Sequence, residues 1–135
     1  MPISSTILVV EDDALLRFAA IAIIEDAGLK AVAASQTAEA LKLLERHSDI
    51  GVVFTDVDMG SGKDGIWLAL QVRNRWPSTQ IIVTSGHRDV RPDMLPSGAI
   101  FLPKPYAEDV VLEEMRRMAG RTSQPLLAIA GGADA

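Results

Sequence analysis

The sequence predicts an α/β fold in which a parallel five-stranded sheet is covered by helices on both faces. Five short apolar runs of strand length occur along the chain, and segments with apolar residues at helical spacing lie between most of them. Strands that alternate with helices imply right-handed crossovers, which place helices on both sides of a parallel sheet. With 135 residues, of which 48% are apolar, the chain is long enough for one domain with a buried core.

The five predicted strands are short apolar segments, most of them rich in valine and isoleucine. They cover residues 7–10, 30–34, 51–55, 80–84 and 99–102, and the pattern is weakest at 30–34. Such runs are typical of strands that are buried on both faces.

The first helix is predicted between Asp13, which can cap its N-terminus, and Gly28, which can adopt the left-handed conformation at its C-terminus. The apolar residues that recur there at helical spacing are Leu15, Phe18, Ala19, Ala22 and Ile23.

The remaining helices follow the same pattern. Thr37 is a candidate cap for the second, which ends near His47 and has Ala38, Leu41 and Leu44 as its inward positions. The third opens with Ile66, Ala69 and Leu70 and closes before Pro77. The last runs from about residue 107 to 119, with Val111, Met115 and Met118 on one face.

The stretch from residue 86 to 98 departs from the alternation, because it contains Pro92 and Pro96. Proline removes an amide donor and clashes with the preceding helical turn, so a fourth helix at this place is expected to be short or broken. Residues 60–65 are predicted to form a flexible loop, residues 1–5 an N-terminal extension and residues 121–135 a flexible tail.

Composition excludes several classes of function. The formal net charge of −5 disfavours a nucleic-acid partner, and the absence of cysteine excludes disulfides and thiolate metal sites. No apolar run reaches the roughly 18 residues needed to cross a bilayer, and the N-terminus lacks the features of a signal peptide. A cytoplasmic protein without a membrane or nucleic-acid partner is expected.

Polar side chains follow four of the predicted strands at the points where the strands end. Strand one is followed by Glu11 and Asp12, and strand three by Asp56. Strand four ends in Thr84 and Ser85, and Lys104 comes shortly after strand five. Because ligands bind beyond the carboxyl ends of parallel strands, these side chains are candidates for one shared site.

The residue types at these positions fit phosphoryl chemistry. Carboxylates gathered in one crevice repel one another, and a hard divalent cation such as Mg²⁺ relieves that repulsion while also holding phosphoryl oxygens. A lysine and a hydroxyl bind the remaining oxygens. The set describes an aspartyl-phosphate site with Asp56 as the nucleophile and Mg²⁺ (or Mn²⁺) as the cofactor.

Four motifs in this order and spacing resemble the receiver domain of bacterial two-component response regulators. They are Val9-Val-Glu-Asp-Asp13, Phe54-Thr-Asp-Val-Asp-Met59, Ile82-Val-Thr-Ser85 and Lys104-Pro-Tyr106. The resemblance covers about residues 6–120 and implies a doubly wound, flavodoxin-like sheet with strand order 2-1-3-4-5.

The resemblance also assigns roles at the acidic end of the site. Asp56 looks like the phosphoacceptor. Asp12 matches the direct Mg²⁺ ligand, and Glu11 matches an acidic partner that acts through water. The backbone carbonyl of Asp58 matches the third protein ligand.

Further positions match the family's switch. Thr84 corresponds to the hydroxyl that moves toward the phosphoryl group, and Lys104 to the lysine that pairs with it. Phe101 lies where the family has an aromatic switch residue. Lys104-Pro105 lies where the family has a cis peptide bond.

Three positions depart from the family pattern or tune it. Gly60 stands where a proline commonly follows the methionine, which predicts a looser loop. Asp58 and Gly86 occupy the two positions that set phosphoryl lifetime in the family. Asp58 adds negative charge, and Gly86 offers no side chain to orient a water.

The function implied by the resemblance is that of a stand-alone receiver that catalyses only its own phosphorylation and dephosphorylation. It would accept a phosphoryl group from a sensor histidine kinase or a histidine phosphotransferase, and would then change its contacts with a downstream protein. A monomer or weak homodimer is expected.

Two other functions remain open from the sequence alone. Asp56 and Asp58 after an apolar strand are similar to the catalytic pair of haloacid-dehalogenase-type phosphatases, although in that family the metal-binding acidic pair comes late in the chain. A receiver-fold adaptor that acts without phosphorylation is the second alternative. His47 and His87 are predicted to be surface residues, and Trp67 and Trp76 to contribute to packing.

Overall fold

The computed structural model describes residues 5–59, 64–86 and 90–123. Its strands are β1 (Thr6–Val10), β2 (Ala31–Ala34), β3 (Ile50–Asp56), β4 (Gln80–Ser85) and β5 (Ile100–Pro103). Its helices are α1 (Ala14–Asp26), α2 (Thr37–Arg46), α3 (Gly65–Arg75) and α4 (Glu108–Ser123), with a 3₁₀ turn at Pro92–Met94. The predictions for the extension at 1–4, the loop at 60–63, His87 and the tail at 124–135 lie outside the described residues.

The five strands form one parallel sheet in the order β2-β1-β3-β4-β5. This order confirms the predicted doubly wound topology, in which the chain moves outward from β1 in both directions. The carboxyl ends of all five strands therefore meet at one edge. In the β3–β4 pairing, Asp56 lies in register with Thr84.

Two apolar layers cover the sheet, one on each face. On the first face α2 and α3 pack on the alternate strand residues, among them Leu8, Val53 and Val83. On the second face α1 and α4 cover Val9, Phe54 and Ile82. Because side chains alternate along a strand, the residues that follow Phe54 and Ile82 by two positions, Asp56 and Thr84, are directed to the α1/α4 face.

Helix α1 begins and ends as the sequence predicts. The Asp13 carboxylate accepts a hydrogen bond from the Leu16 amide at 3.0 Å and so caps the N-terminus. Gly28 follows the helix with φ of +84°, the left-handed conformation that glycine adopts without strain.

Of the five predicted apolar positions of α1, however, only Ile23 is half-buried, and the other four are exposed. Leu15 and Phe18 are 80% and 79% exposed, and Ala19 and Ala22 are exposed as well. The helix instead rests on the sheet through Ile24, which is buried, with Ala20 and Ile21 packed beside it. Apolar residues recur on more than one side of this helix, so spacing alone could not identify the buried side.

The prediction for the start of α2 was wrong in two respects. Gln36, and not Thr37, is the N-cap residue, and its side chain makes no capping hydrogen bond. The Glu39 carboxylate instead accepts a hydrogen bond from the Ser35 amide at 2.8 Å, so a side chain of the first helical turn satisfies an amide that precedes the helix. Ala38 is exposed, whereas the buried positions include Ala40.

The segment before β5 confirms the prediction of a short or broken fourth helix. Only the 3₁₀ turn at Pro92–Met94 forms between Val90 and Ala99. Arg73 of α3 fixes this region, because its guanidinium donates to the carbonyls of Ser97, Pro77 and Thr79 at 3.0, 2.9 and 3.0 Å.

Helix α4 buries Val111, Met115 and Met118, as predicted. It continues to Ser123, beyond the predicted end near residue 119, because Gly120 does not adopt the left-handed conformation that would terminate it. Over the described ranges, no helix combines the length and the apolar character that crossing a membrane requires.

Candidate functional site

A small cleft of about 100 Å³ lies at the carboxyl edge of the sheet on the α1/α4 face. Glu11 comes directly after β1, Asp56 ends β3, Thr84 lies in β4 and Lys104 directly follows β5. The residues that line the cleft include these four, together with Phe54 and Tyr106. The topology thus brings four of the predicted site residues together.

Lys104 neutralises the acidic side chains of the cleft. Its Nζ lies 3.2 Å from Asp56 Oδ2 and 4.0 Å from Glu11 Oε1. The Lys104 amide donates to the Ser85 carbonyl at 2.9 Å, which fixes the chain that carries the ammonium group beside β4. The peptide bond that follows, Lys104-Pro105, is cis, as the family resemblance implies.

The Thr84 hydroxyl has a different environment. Thr84 is 3% exposed, and its Oγ1 is buried without a hydrogen-bond partner from the protein, the single buried side-chain polar atom in that state within the described residues. An unsatisfied buried hydroxyl is unfavourable, and native proteins contain few of them. This one lines the cleft beside Asp56, where it could donate to an oxygen bound there.

Glu11 is a buried carboxylate that is unfavourable to ionise. Burial raises the pKa of its carboxyl above the ordinary value, the Asp13 backbone hydrogen bond opposes this rise, and the negative charge of Asp56 adds to it. Lys104 lowers the pKa and a side-chain hydrogen bond with Asp12 raises it further. The carboxyls of Glu11, Asp12 and Asp56 therefore interact electrostatically as one group.

These oxygen donors suit a hard cation such as Mg²⁺. Asp12 and Asp58 are exposed and do not line the cleft, whereas Glu11 and Asp56 are buried and line it. In the part of the chain that the structure describes, no group of three or more acidic or histidine side chains is arranged to hold a metal ion. Burial is the main cause of the raised pKa of Glu11 and the negative charge of Asp56 adds to it, so added positive charge beside these two carboxyls would favour their ionised forms.

Two aromatic residues lie close to the site on opposite faces of the sheet. Tyr106 packs edge-on against Phe54, with ring centroids 5.8 Å apart, and forms a wall of the cleft. Burial, followed by the charges of Glu11 and Asp56, raises the pKa of its phenol. Phe101, the predicted switch residue, is half-buried on the α2/α3 face in register with Val83, next to the Thr84 position.

Sequence reasoning assigned no role to two residues that hold the Asp56 backbone in place. Thr55 is fully buried, and its hydroxyl donates to the Asp56 carbonyl at 2.9 Å. Gly65 begins α3 against the same carbonyl, and a Cβ at this position would lie 2.1 Å from that oxygen. A glycine directly after the helix-capping Asp64 is the sequence signal that could have indicated such a close approach.

A larger cleft of about 550 Å³ lies at the opposite edge of the sheet, and its lining includes His47, Asp49 and Trp76. None of the predicted site residues lines it, so chemistry and not volume identifies the functional edge. The tryptophans contribute to packing as predicted, since Trp67 and Trp76 both contact the core beneath α3. His47 is exposed at the end of α2, also as predicted.

Two known regulatory proteins are similar to this chain in sequence. The chain is 31% identical over 129 residues to the transcriptional regulatory protein FixJ of Azorhizobium caulinodans, a match that covers 92% of this chain and 59% of that protein. It is 34% identical over 114 residues to the C4-dicarboxylate transport transcriptional regulatory protein DctD of Pseudomonas aeruginosa. That match covers 82% of this chain and 24% of DctD, so the chain spans only part of these relatives.

A solved structure supports the assignment of the fold. The response regulator receiver protein of Sinorhizobium medicae superposes with a TM-score of 0.80 at 26% identity, covering 88% of this chain and 97% of that one. The family model of the response regulator receiver domain matches residues 7–116, which include every motif at the carboxyl edge of the sheet. This chain therefore belongs to the response regulator receiver domain family.

Proposed function

We propose that this chain is a phosphorelay receiver that accepts a phosphoryl group onto Asp56 from a sensor histidine kinase or a histidine phosphotransferase. Family membership supports a signalling domain of a two-component system rather than an ordinary enzyme. The observation that carries the assignment to Asp56 is the buried, unpartnered Thr84 hydroxyl, which lies beside Asp56 in the β3–β4 register. A phosphoryl oxygen on Asp56 would supply the missing acceptor.

In the proposed transfer, a carboxylate oxygen of Asp56 attacks the phosphorus of a phosphohistidine. The O–P bond forms with a carboxylate lone pair, the N–P bond breaks, and its electron pair returns to the imidazole nitrogen, which takes up a proton from solvent. Lys104, now 3.2 Å from Asp56, would then pair with a phosphoryl oxygen, and Thr84 would donate to another.

Mg²⁺ (or Mn²⁺) is the proposed cofactor, held by Asp56, Asp12 and the backbone carbonyl of Asp58, with Glu11 acting through water. When bound, the cation would neutralise the charge that develops on the transferring phosphoryl oxygens. The protein itself would contribute by positioning the Asp56 carboxylate, Lys104 and Thr84, because phosphoryl transfer depends mainly on alignment and charge.

The proposed output is a two-state switch. Phosphorylated Asp56 draws the Thr84 side chain toward the site, and Phe101 moves into the space that Thr84 leaves. Phe101 is half-buried and neighbours the Thr84 position through β4–β5 pairing, but it lies on the α2/α3 face, so in the proposed switch the movement would reach it around the end of β4. The two states would differ in their affinity for a partner, since only the phosphorylated state has phosphoryl oxygens that accept a hydrogen bond from the Thr84 hydroxyl after it moves.

The surface around the cleft supports a protein partner. Leu15, Leu16 and Phe18 of α1 are 80%, 50% and 79% exposed, and Leu16 also lines the cleft. Exposed apolar patches of this kind mark contact sites for other proteins. We further propose a cytoplasmic location and a monomeric or weakly dimeric state.

Phosphorylation with acetyl phosphate and Mg²⁺, followed by intact-protein mass spectrometry, tests the assignment. The wild-type protein should gain the mass of one phosphoryl group, and Asp56→Asn should gain none. Asp26→Asn is the matched control, because it removes an exposed carboxylate at the end of α1, outside the site, and should still be phosphorylated. No gain in the wild-type protein would instead favour a phosphorylation-independent adaptor.

A phosphatase of the haloacid-dehalogenase type would give a different result in the same experiment. It would hydrolyse assorted phosphomonoesters continuously and would lose that turnover on Asp58→Asn. Asp58 is exposed beyond the end of β3, and the family match favours a receiver, so we expect no such turnover.

A further inference from the structure

Arg17, on the first turns of α1, makes a contact with the acidic loop that the chemistry described above does not use. Its Nη1 donates to the backbone carbonyl of Glu11 at 2.8 Å, across six positions of sequence. The bond is partly buried, and the arginine side chain is neither fully exposed nor part of the core. Hydrogen bonds with an ionised donor are among the stronger ones in proteins.

This bond reaches the loop at the point where strand pairing ends. The Glu11 amide still donates to the Ala34 carbonyl of β2 at 3.1 Å, and this is the last hydrogen bond of the pairing between β1 and β2. The Glu11 carbonyl belongs to the next peptide, which joins Glu11 to Asp12, and Arg17 is its donor. The orientation of that peptide determines where both carboxylates of the acidic pair point.

Two other hydrogen bonds hold the remainder of the same turn. The Glu11 carboxylate accepts from the Asp13 amide at 3.1 Å, and the Asp13 carboxylate accepts from the Leu16 amide at 3.0 Å. With Arg17 they form a closed set that links the acidic pair to the rigid start of α1.

We propose that Arg17 is a positioning residue for the acidic pair. By holding the Glu11–Asp12 peptide from α1, it keeps both carboxylates directed at the cleft before a cation arrives, and so raises the affinity of the site for Mg²⁺. The inference rests on the proposed function only in taking Glu11, Asp12 and Asp56 as the Mg²⁺ site. Outer residues that orient metal ligands contribute strongly to metal affinity.

The test measures Mg²⁺ binding to the unphosphorylated protein by isothermal titration calorimetry. Arg17→Gln should weaken binding by about tenfold, the lower end of the effect of losing an orienting partner. Arg17→Lys should recover part of the loss, because an ammonium group can still donate one hydrogen bond to the carbonyl. In the metal-free protein, exchange of the Asp13 amide hydrogen should be faster in Arg17→Gln, since the turn is held less firmly.

Arg116→Gln is the matched control. Arg116 makes the same type of contact at the other end of α1, where its Nη2 lies 3.4 Å from the Ala27 carbonyl, far from the acidic pair. This variant should leave both Mg²⁺ affinity and Asp13 exchange unchanged. The two variants together separate positioning of the acidic loop from general anchoring of α1.

The possible results are distinguishable. Unchanged Mg²⁺ affinity in Arg17→Gln, or an equal loss in Arg17→Gln and Arg116→Gln, would overturn the role of Arg17 and leave the proposed function standing. A wild-type protein that binds no Mg²⁺ would overturn the proposed metal site and this inference with it.

Discussion

Replacing Thr84 by valine should stabilise the unphosphorylated protein, although it removes a residue that the switch needs. Valine has nearly the shape of threonine, with a methyl group in place of the hydroxyl. The Thr84 hydroxyl is buried without a partner, so its removal takes away an unfavourable interaction and breaks no hydrogen bond. Valine is also well suited to a buried strand such as β4.

The expected change in the free energy of unfolding depends on whether the buried hydroxyl has a hydrogen-bond partner. An unsatisfied polar group costs about 1–3 kcal/mol, so Thr84→Val should raise the free energy of unfolding by about 1 kcal/mol after partial relaxation around the new methyl group. Thr55→Val provides the comparison, because the Thr55 hydroxyl is equally buried but donates to the Asp56 carbonyl at 2.9 Å. Losing a satisfied bond should lower the free energy of unfolding by about 1 kcal/mol.

Urea unfolding of both variants in metal-free buffer measures the difference. We expect changes of opposite sign, with the free energy of unfolding of Thr84→Val above that of the wild type and that of Thr55→Val below it. Phosphorylation of Thr84→Val should in addition no longer change its affinity for a partner, because no hydroxyl is left to donate a hydrogen bond to a phosphoryl oxygen. A destabilised Thr84→Val would refute the reasoning, since it would mean that the hydroxyl is satisfied in the resting protein.

Two further predictions concern the backbone and the charge of the site. Gly65→Ala should destabilise the protein by about 2–3 kcal/mol, because the new Cβ would lie 2.1 Å from the Asp56 carbonyl oxygen, whereas Gly86→Ala should change stability little, with only the Lys104 Cβ at 4.0 Å. Thermal unfolding compares the two, and equal effects would contradict the close approach. Glu11→Gln should stabilise the metal-free protein at neutral pH but not below pH 4.5, because the pKa of Glu11 is raised above 4.5 in the folded state. The wild-type protein therefore loses stability as pH rises from 4.5 through the folded-state pKa, because ionised Glu11 opposes folding. Urea unfolding should give the wild type a lower free energy of unfolding than Glu11→Gln at pH 7 but not at pH 4.

The topology and the chemistry at the strand ends could be predicted because both depend on local patterns. Short apolar runs fix the strands, and the carboxyl edge of a parallel sheet collects whatever follows them. Glu11, Asp56, Thr84 and Lys104 therefore meet in one cleft, as the sequence indicates. The prolines at 92 and 96 likewise predicted correctly that a helix between β4 and β5 would be short or broken, and the described residues contain a 3₁₀ turn at Pro92–Met94.

The orientation of α1 could not be predicted in the same way. Leu15 and Phe18 share the helical spacing of core residues, yet they are exposed, and Ile24 is the buried residue. Which side of a helix meets the sheet depends on how the crossover from β1 to β2 packs, which is a tertiary property. The apolar residues left outside by that packing support the protein contact proposed above.

The residues that orient the site were also beyond local patterns. Arg17 bonds a carbonyl six positions away, and Gly65 is required by the approach of α3 to the end of β3. Neither contact has a spacing rule that separates it from an ordinary surface arginine or an ordinary loop glycine. Local sequence therefore predicts which side chains meet at the carboxyl edge better than it predicts the residues that hold them.

The central claim is that Asp56 carries the phosphoryl group, and chemical mapping of the modified residue tests it most directly. After reaction with acetyl phosphate and Mg²⁺, borohydride reduction converts an aspartyl phosphate to homoserine, and peptide mass spectrometry then locates the altered residue. We expect homoserine at position 56 alone, and none in a sample that was never phosphorylated. Homoserine at position 12 or 58, or no altered residue despite a phosphorylated intact protein, would contradict it.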